Sequence, residues 1–142
     1  MPPHLTADAA LAARKDEIRR RLRDLRSRLD PGERQRLSLI ACGHILASRV
    51  WQRAKTVALY VAVRGEIDAG PLLENAWQSG RTVLLPACSR AEPGLMVFAP
   101  CAGPDALCPG PFNIPEPALP GGQADFDALA AACGLAGPAA GP

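Results

Sequence analysis

Aromatic residues make up only 4% of the 142-residue chain: one tyrosine, two tryptophans and three phenylalanines. Uninterrupted apolar runs of about 18 residues are also lacking, so no membrane-spanning helix is expected. The five cysteines (Cys42, Cys88, Cys101, Cys108 and Cys133) contain no Cys-x-x-Cys pair and have no histidine partner nearby, so neither a zinc site nor any other metal-ligand cluster is expected. A Walker loop and a Gly-x-Gly-x-x-Gly fingerprint are both missing, which removes the two commonest phosphate-cradling signatures. Met1-Pro2-Pro3-His4 leads into a charged stretch without an apolar h-region, so no secretory signal is expected. An odd set of widely spaced thiols then suits a reducing, cytoplasmic setting.

What is present suits one soluble α/β domain: 48% hydrophobic and 21% charged residues. The net charge of +2 conceals an asymmetry, because residues 1–36 hold ten of the sixteen Lys and Arg against six of the fourteen acids. A basic arm followed by a mildly acidic body makes a phosphate-bearing ligand the first partner to consider. Proline and glycine concentrate at the other end, with eleven of fifteen prolines and eight of thirteen glycines lying from Pro86 onward. That density predicts a less regular second half.

A first helix is predicted over residues 7–29. Leu11, Lys15, Ile18, Leu22, Leu25 and Leu29 recur at alternating steps of four and three, a narrow stripe that is apolar except at Lys15. Asp30-Pro31-Gly32-Glu33 supplies a cap, a proline at the first helical position and an early acid, so a second helix starts there. Leu37, Ile40, Ala41, Leu46 and Val50 are its predicted buried face, and His44 is expected at the core edge. Residues 56–63 read as a strand covered on both faces, residues 69–79 as a helix stopped by Gly80, and residues 81–85 as a second strand ended by Pro86. This order predicts a βαβ unit, with a shorter strand over 95–99. The alternating prolines of Pro109–Pro117 predict an extended loop that joins neither helix nor ladder. Residues 124–135 read as a weak helix. The expected fold is therefore a three-layer α/β architecture: a mainly parallel sheet flanked by helices, an N-terminal helical hairpin and an incomplete C-terminal part. Residues 1–120 form the domain, and 121–142 a low-complexity, poorly ordered tail whose last residues are frayed.

Ligands of open parallel sheets bind at the carboxyl ends of the strands. Glu66 follows Gly65 on the loop at such an end, where it can accept hydrogen bonds from ligand N–H groups or simply cap the next helix. Lys15 interrupts the apolar stripe and must either snorkel or meet an anion. Seven arginines in fifteen residues on the first helix suit phosphate contact or a solvated face. Without an aromatic among them there is no base-stacking platform, so nucleic acid is not an expected partner.

Six segments, in order, resemble the 5-formyltetrahydrofolate cyclo-ligase family. They are Lys15-Asp16-Glu17-Ile18-Arg19, Ala58-Leu59-Tyr60-Val61, Gly65-Glu66-Ile67-Asp68, Ala76-Trp77 with Gly80 to Pro86, Met96-Val97-Phe98, and Phe112 to Pro117. The resemblance implies ATP- and magnesium-dependent closure of 5-formyltetrahydrofolate to 5,10-methenyltetrahydrofolate. In the implied reaction the formyl oxygen attacks the γ-phosphate, and the second folate nitrogen then closes the ring and expels phosphate. It also implies that Lys15, Asp16, Glu17, Ile18 and Arg19 contact ATP, and that Val61, Glu66, Met96 and Phe112 line the folate pocket. No catalytic residue is singled out. The implied protein is a cytoplasmic monomer acting on small molecules, with neither membrane nor nucleic-acid partner. The family's later Gly-x-Gly-x-Gly-Tyr-Tyr-Asp loop has no counterpart, since Tyr60 is the one tyrosine of the chain. A truncated or frame-shifted version of a longer family member, with little or no turnover, is therefore expected. The alternative is a folate- or anion-binding remnant, or a basic helical interaction module.

Overall fold

The computed structural model describes residues 3–135, with side chains from residue 8 onward; the frayed end expected over 137–142 lies outside the described residues. Helix α1 (Pro3–Ser27) is followed by α2 (Pro31–Ala47), and the turn between them is built as the sequence requires. Asp30 accepts a hydrogen bond from Glu33 N at 3.1 Å, and Pro31 contributes its preset φ at the first position. The hairpin does not zip shut. Leu11, Ile18, Leu22 and Leu25 stay about half exposed along α1. The reason lies in α2, whose buried residues are Ser38 and Cys42, not the expected Leu37–Ile40 face. Leu37, Ile40 and Val50 are exposed, as is His44. Ser38 Oγ accepts from Asp68 N at 3.0 Å and the Cys42 thiol donates to Asp68 O at 3.3 Å, so α2 turns its small polar side to a loop of the body.

After the short α3 (Arg49–Arg53), strand β1 (Thr56–Ala58), helix α4 (Gly70–Gln78) and strand β2 (Thr82–Cys88) form the expected unit, with β1 and β2 parallel. β1 is shorter than the predicted 56–63. Thr82 N donates to Lys55 O, so even-numbered residues of β2 face β1. The next such donor after Leu84 is Pro86, which has no N–H. The ladder therefore stops, while β2 itself continues through Pro86 and pairs on its other edge with β3 (Met96–Pro100). That pairing is antiparallel, so the sheet, ordered β1-β2-β3, is mixed rather than mainly parallel.

The α/β class expected from the sequence is the one observed; burial alternates along β1 and β3, and α4 and α5 pack on the same, buried face of the sheet. On the covered face, Leu72, Leu73 and Ala76 of α4 pack with Val57, Val83, Leu85 and Trp51. At the far end of that face, helix α5 (Gln123–Ala132) presses Phe126 and Ala130 onto Ala87, Val97 and Ala99. The stretch from residue 121 is thus helical and packed over Gln123–Ala132 instead of loose, because Phe126 gives it an apolar anchor.

The proline-rich stretch also departs from expectation. β4 (Leu107–Pro109) and β5 (Pro115–Pro117) pair antiparallel, with Cys108 opposite Glu116. Ala118 N donates to Ala106 O and Gly110 N to Ile114 O, which places the ladder bonds at even positions. Pro109, Pro115 and Pro117 occupy the alternate positions, whose nitrogens face away from the partner strand. A period of two lets prolines into this hairpin.

Candidate functional site

The loop that follows β1 is held from three sides. Arg64 and Gly65 have φ of 51° and 77°, reversing the chain just past Val63. Glu66 folds back so that its Oε2 accepts from Val63 N at 3.0 Å, and the Tyr60 hydroxyl donates to Ile67 O at 2.7 Å. Asp68 is tied to α2 through Ser38 and Cys42. Arg64 Nη2 donates to Phe112 O at 3.3 Å, joining this loop to the tip of the β4–β5 hairpin across 48 positions of sequence. At that tip Phe112 and Asn113 have φ of 60° and 59°, and the Phe112 ring is 76% exposed.

A hollow of about 580 Å³ opens beside the loop, lined by Arg26, Leu29, Arg34, Tyr60, Gly65 and Glu66 among others. The Arg34 guanidinium lies over Gly65 so closely that a Cβ there would stand 2.7 Å from its Nη1. Two guanidinium groups, one carboxylate and a phenol thus border one opening. Such a set can hold an anionic group on the arginines while Glu66 accepts from N–H donors. Burial pushes the Tyr60 hydroxyl pKa up, with the Glu66, Cys42 and Asp68 charges adding to it; burial and Asp68 raise the Cys42 thiol likewise. Both groups stay protonated around neutrality and serve as donors.

The other expected residues are distributed differently. Lys15, Asp16, Glu17, Ile18 and Arg19 lie exposed on α1, with Arg19 paired to Asp16 at 3.2 Å. They do not line the hollow that contains Glu66: among the described residues, the N-terminal hairpin reaches it from Arg26, about 16 Å further along the helix axis than Lys15, and from Leu29 onward. Val61 is half-buried against the α4 cluster, Met96 is exposed on β3, and Phe112 reaches the loop through its carbonyl. Arg26 and Arg34 were not singled out from sequence. A signal for Arg34 existed, since Arg34, Ser38 and Cys42 recur at four-residue steps on one side of α2.

Among the described residues, no group of three or more His, Cys, Asp or Glu side chains converges to hold a metal ion, so these residues do not fit a resident magnesium site. All five cysteines are free thiols. No helix among the described residues is long and apolar enough to cross a membrane.

Comparison with known proteins locates this architecture. The chain is 29% identical over 98 residues to the 5-formyltetrahydrofolate cyclo-ligase of Escherichia coli (strain K12), covering 69% of this chain and 54% of that protein. It is 26% identical over 93 residues to a probable 5-formyltetrahydrofolate cyclo-ligase of Caenorhabditis elegans, covering 65% of this chain and 45% of the relative. The NMR structure of Aquifex aeolicus 5,10-methenyltetrahydrofolate synthetase superposes with a TM-score of 0.63 at 28% identity, over 74% of this chain and 52% of the other. The chain therefore spans about half the length of the relatives it matches. Residues 11–127 match the model of the 5-formyltetrahydrofolate cyclo-ligase family, and to that family the chain belongs.

Proposed function

We propose that the chain carries the folate-binding side of a 5-formyltetrahydrofolate cyclo-ligase, an enzyme that spends ATP to close 5-formyltetrahydrofolate to 5,10-methenyltetrahydrofolate. The observation that carries this reading is Glu66, seated on a glycine-led loop and facing a hollow flanked by Arg26 and Arg34, in a chain of that family. In this reading Glu66 accepts hydrogen bonds from pterin N–H groups, and Val61, Met96 and Phe112 supply apolar contacts. Lys15 through Arg19 contact the ATP phosphates and offset the charge on the γ-phosphoryl group as it leaves ADP for the formyl oxygen. The protein works on these small molecules as a cytoplasmic monomer, and residues 1–120 hold the family-like portion.

Turnover by this chain alone is low in this reading, because its sequence contains no glycine-rich loop to cradle the nucleotide phosphates. The position of Lys15 outside the Glu66 hollow favours the second reading, folate or anion binding without turnover. Calorimetric titration with 5-formyltetrahydrofolate tests the shared core of both. Saturable binding is expected, weakened at least tenfold by Glu66→Gln; equal affinity in that variant overturns the assignment of Glu66. Absorbance of methenyltetrahydrofolate after mixing with ATP and magnesium separates the two, and loss of ATP affinity in Lys15→Ala supports the ligase-like site.

A further inference from the structure

The seam of α1 fits a partner helix. Its apolar residues follow the 3.5-residue period of a coiled coil: Leu11 and Ile18 and Leu25 occupy one register position, Lys15 and Leu22 the other. The positions that flank such a seam are Arg14 and Arg21 on one side and Arg19 and Arg26 on the other. Asp16, Glu17 and Asp24 fall on the outer positions, away from the seam. All four apolar residues are about half exposed, and a groove of about 600 Å³ runs along Leu22, Leu25 and Leu29 between Arg19, Arg23 and Arg26. Among the described residues Arg14, Arg21 and Arg26 form no ion pair, and Arg26 Nε is buried without a hydrogen-bond partner.

We propose that this face docks an acidic amphipathic helix, one with apolar seam residues flanked by Glu or Asp. Charge selects the occupant. In a second copy of this chain, parallel pairing sets Arg14 and Arg21 against Arg19 and Arg26, and antiparallel pairing sets Arg14 against Arg21 and Arg19 against Arg26. Every flanking contact is then repulsive in both orientations, and Lys15 adds a cation inside the seam. A helix with acidic flanks turns the same positions into attractive pairs, and a carboxylate beside the seam meets Lys15. A lipid surface suits the face less well, since the apolar stripe is narrow and α1 carries no aromatic anchor. The docking face borders the Glu66 hollow, sharing Arg26 and Leu29 with it, and takes in Lys15 and Arg19; the residues substituted in the test, Leu22, Leu25, Arg14 and Arg21, lie outside that hollow and leave Glu66 and its lining intact.

The test uses the full chain and a fluorescein-labelled synthetic helix of about four heptads, Leu at seam positions and Glu at both flanking positions, read by anisotropy. Expected is saturable binding that falls at least tenfold between low salt and about 0.5 M salt. The Leu22→Asp/Leu25→Asp variant loses that binding. A second variant, Arg14→Glu/Arg21→Glu, weakens it and gains affinity for the counterpart peptide with Lys flanks, a switch that unfolding does not produce. Equal binding of both peptides by the unaltered chain overturns the proposal, as does acidic-peptide binding that survives both variants. Phosphatidylserine vesicles bound in preference to the peptide assign the face to a lipid surface instead. Dimerisation in sedimentation equilibrium that the leucine variant abolishes assigns it to a second copy.

Discussion

Gly65 shows how one residue shapes the site. Its φ of 77° reverses the chain ahead of Glu66, and its missing side chain leaves room for the Arg34 guanidinium. Gly65→Ala is expected to lower stability by about 1–2 kcal/mol in urea unfolding, from the left-handed backbone and the displaced arginine together. Adding Arg34→Ala should recover only the contact part of that loss. The protonated donors Cys42 and Tyr60, together with Cys88, make stability depend on alkaline pH. Burial raises all three above their ordinary values, and for Cys88 the Glu116 carboxylate adds to it. Their contribution is fully present below the unfolded-state values and is lost as pH rises through the raised folded ones. Thermal midpoints should therefore hold up to about pH 8.5 and fall beyond it. Cys42→Ala/Cys88→Ala should flatten that fall, and an unchanged slope would contradict this assignment. Glu66 was legible at this scale because a glycine-led acid at a strand end has a local signature. Arg26 was not, because nothing in its neighbours along the chain distinguishes it from the other arginines of its helix, and Arg34 carried only the four-residue step it shares with Ser38 and Cys42.

Elements, unlike residues, depend on what lies alongside them. The caps at Asp30 and Gly80 and the period of α4 are local, so α2 begins and α4 begins and ends close to where the sequence places them, whereas the helix expected to run through Val50 breaks at Ser48 into α2 and α3. The strands are different. Pro86 ends one ladder and is tolerated in the other because β2 turns opposite edges to β1 and β3. The prolines of the β4–β5 hairpin avoid the bonding positions for the same geometric reason, and Gly110 leaves space there for Glu116, whose Oε1 accepts from Cys88 N at 3.1 Å. That contact serves a backbone donor of β2 beyond the end of β1. Docking of α5 rests chiefly on Phe126, which is 2% exposed. Phe126→Ala is expected to cost about 3 kcal/mol or more, read by chemical denaturation. A loss under about 1 kcal/mol would mean that α5 is not anchored on Ala87, Val97 and Ala99.

At the scale of the whole molecule, two apolar clusters share one face of a three-stranded sheet, and α1 contributes to neither, leaving its stripe open. Open helix faces and sheet edges are where proteases and other chains gain access. Brief trypsin treatment should cut first among Arg14–Arg28, while cuts at Arg81, half-buried between α3 and β2, come late; mass spectrometry of early fragments checks the order. Bound acidic helix should delay the early cuts. Family membership was also legible, from six short segments in order, because a family's loop and strand-end residues recur in linear sequence. How those segments meet was not: Arg64 ties the Glu66 loop to Phe112 O, and from α1 it is Arg26 that lines the hollow beside Glu66.

By itself the sequence determined the helices with their caps, the parallel βαβ unit and the acid at its carboxyl end, because each depends on residues a few positions apart. Only the tertiary structure decided that β3 runs antiparallel, that a proline-rich segment forms a ladder, that α5 seals one end of the sheet and that Arg34 covers Gly65. Those outcomes depend on which distant backbone donors and apolar surfaces remain unpaired once the local elements have formed, and no local pattern encodes that remainder.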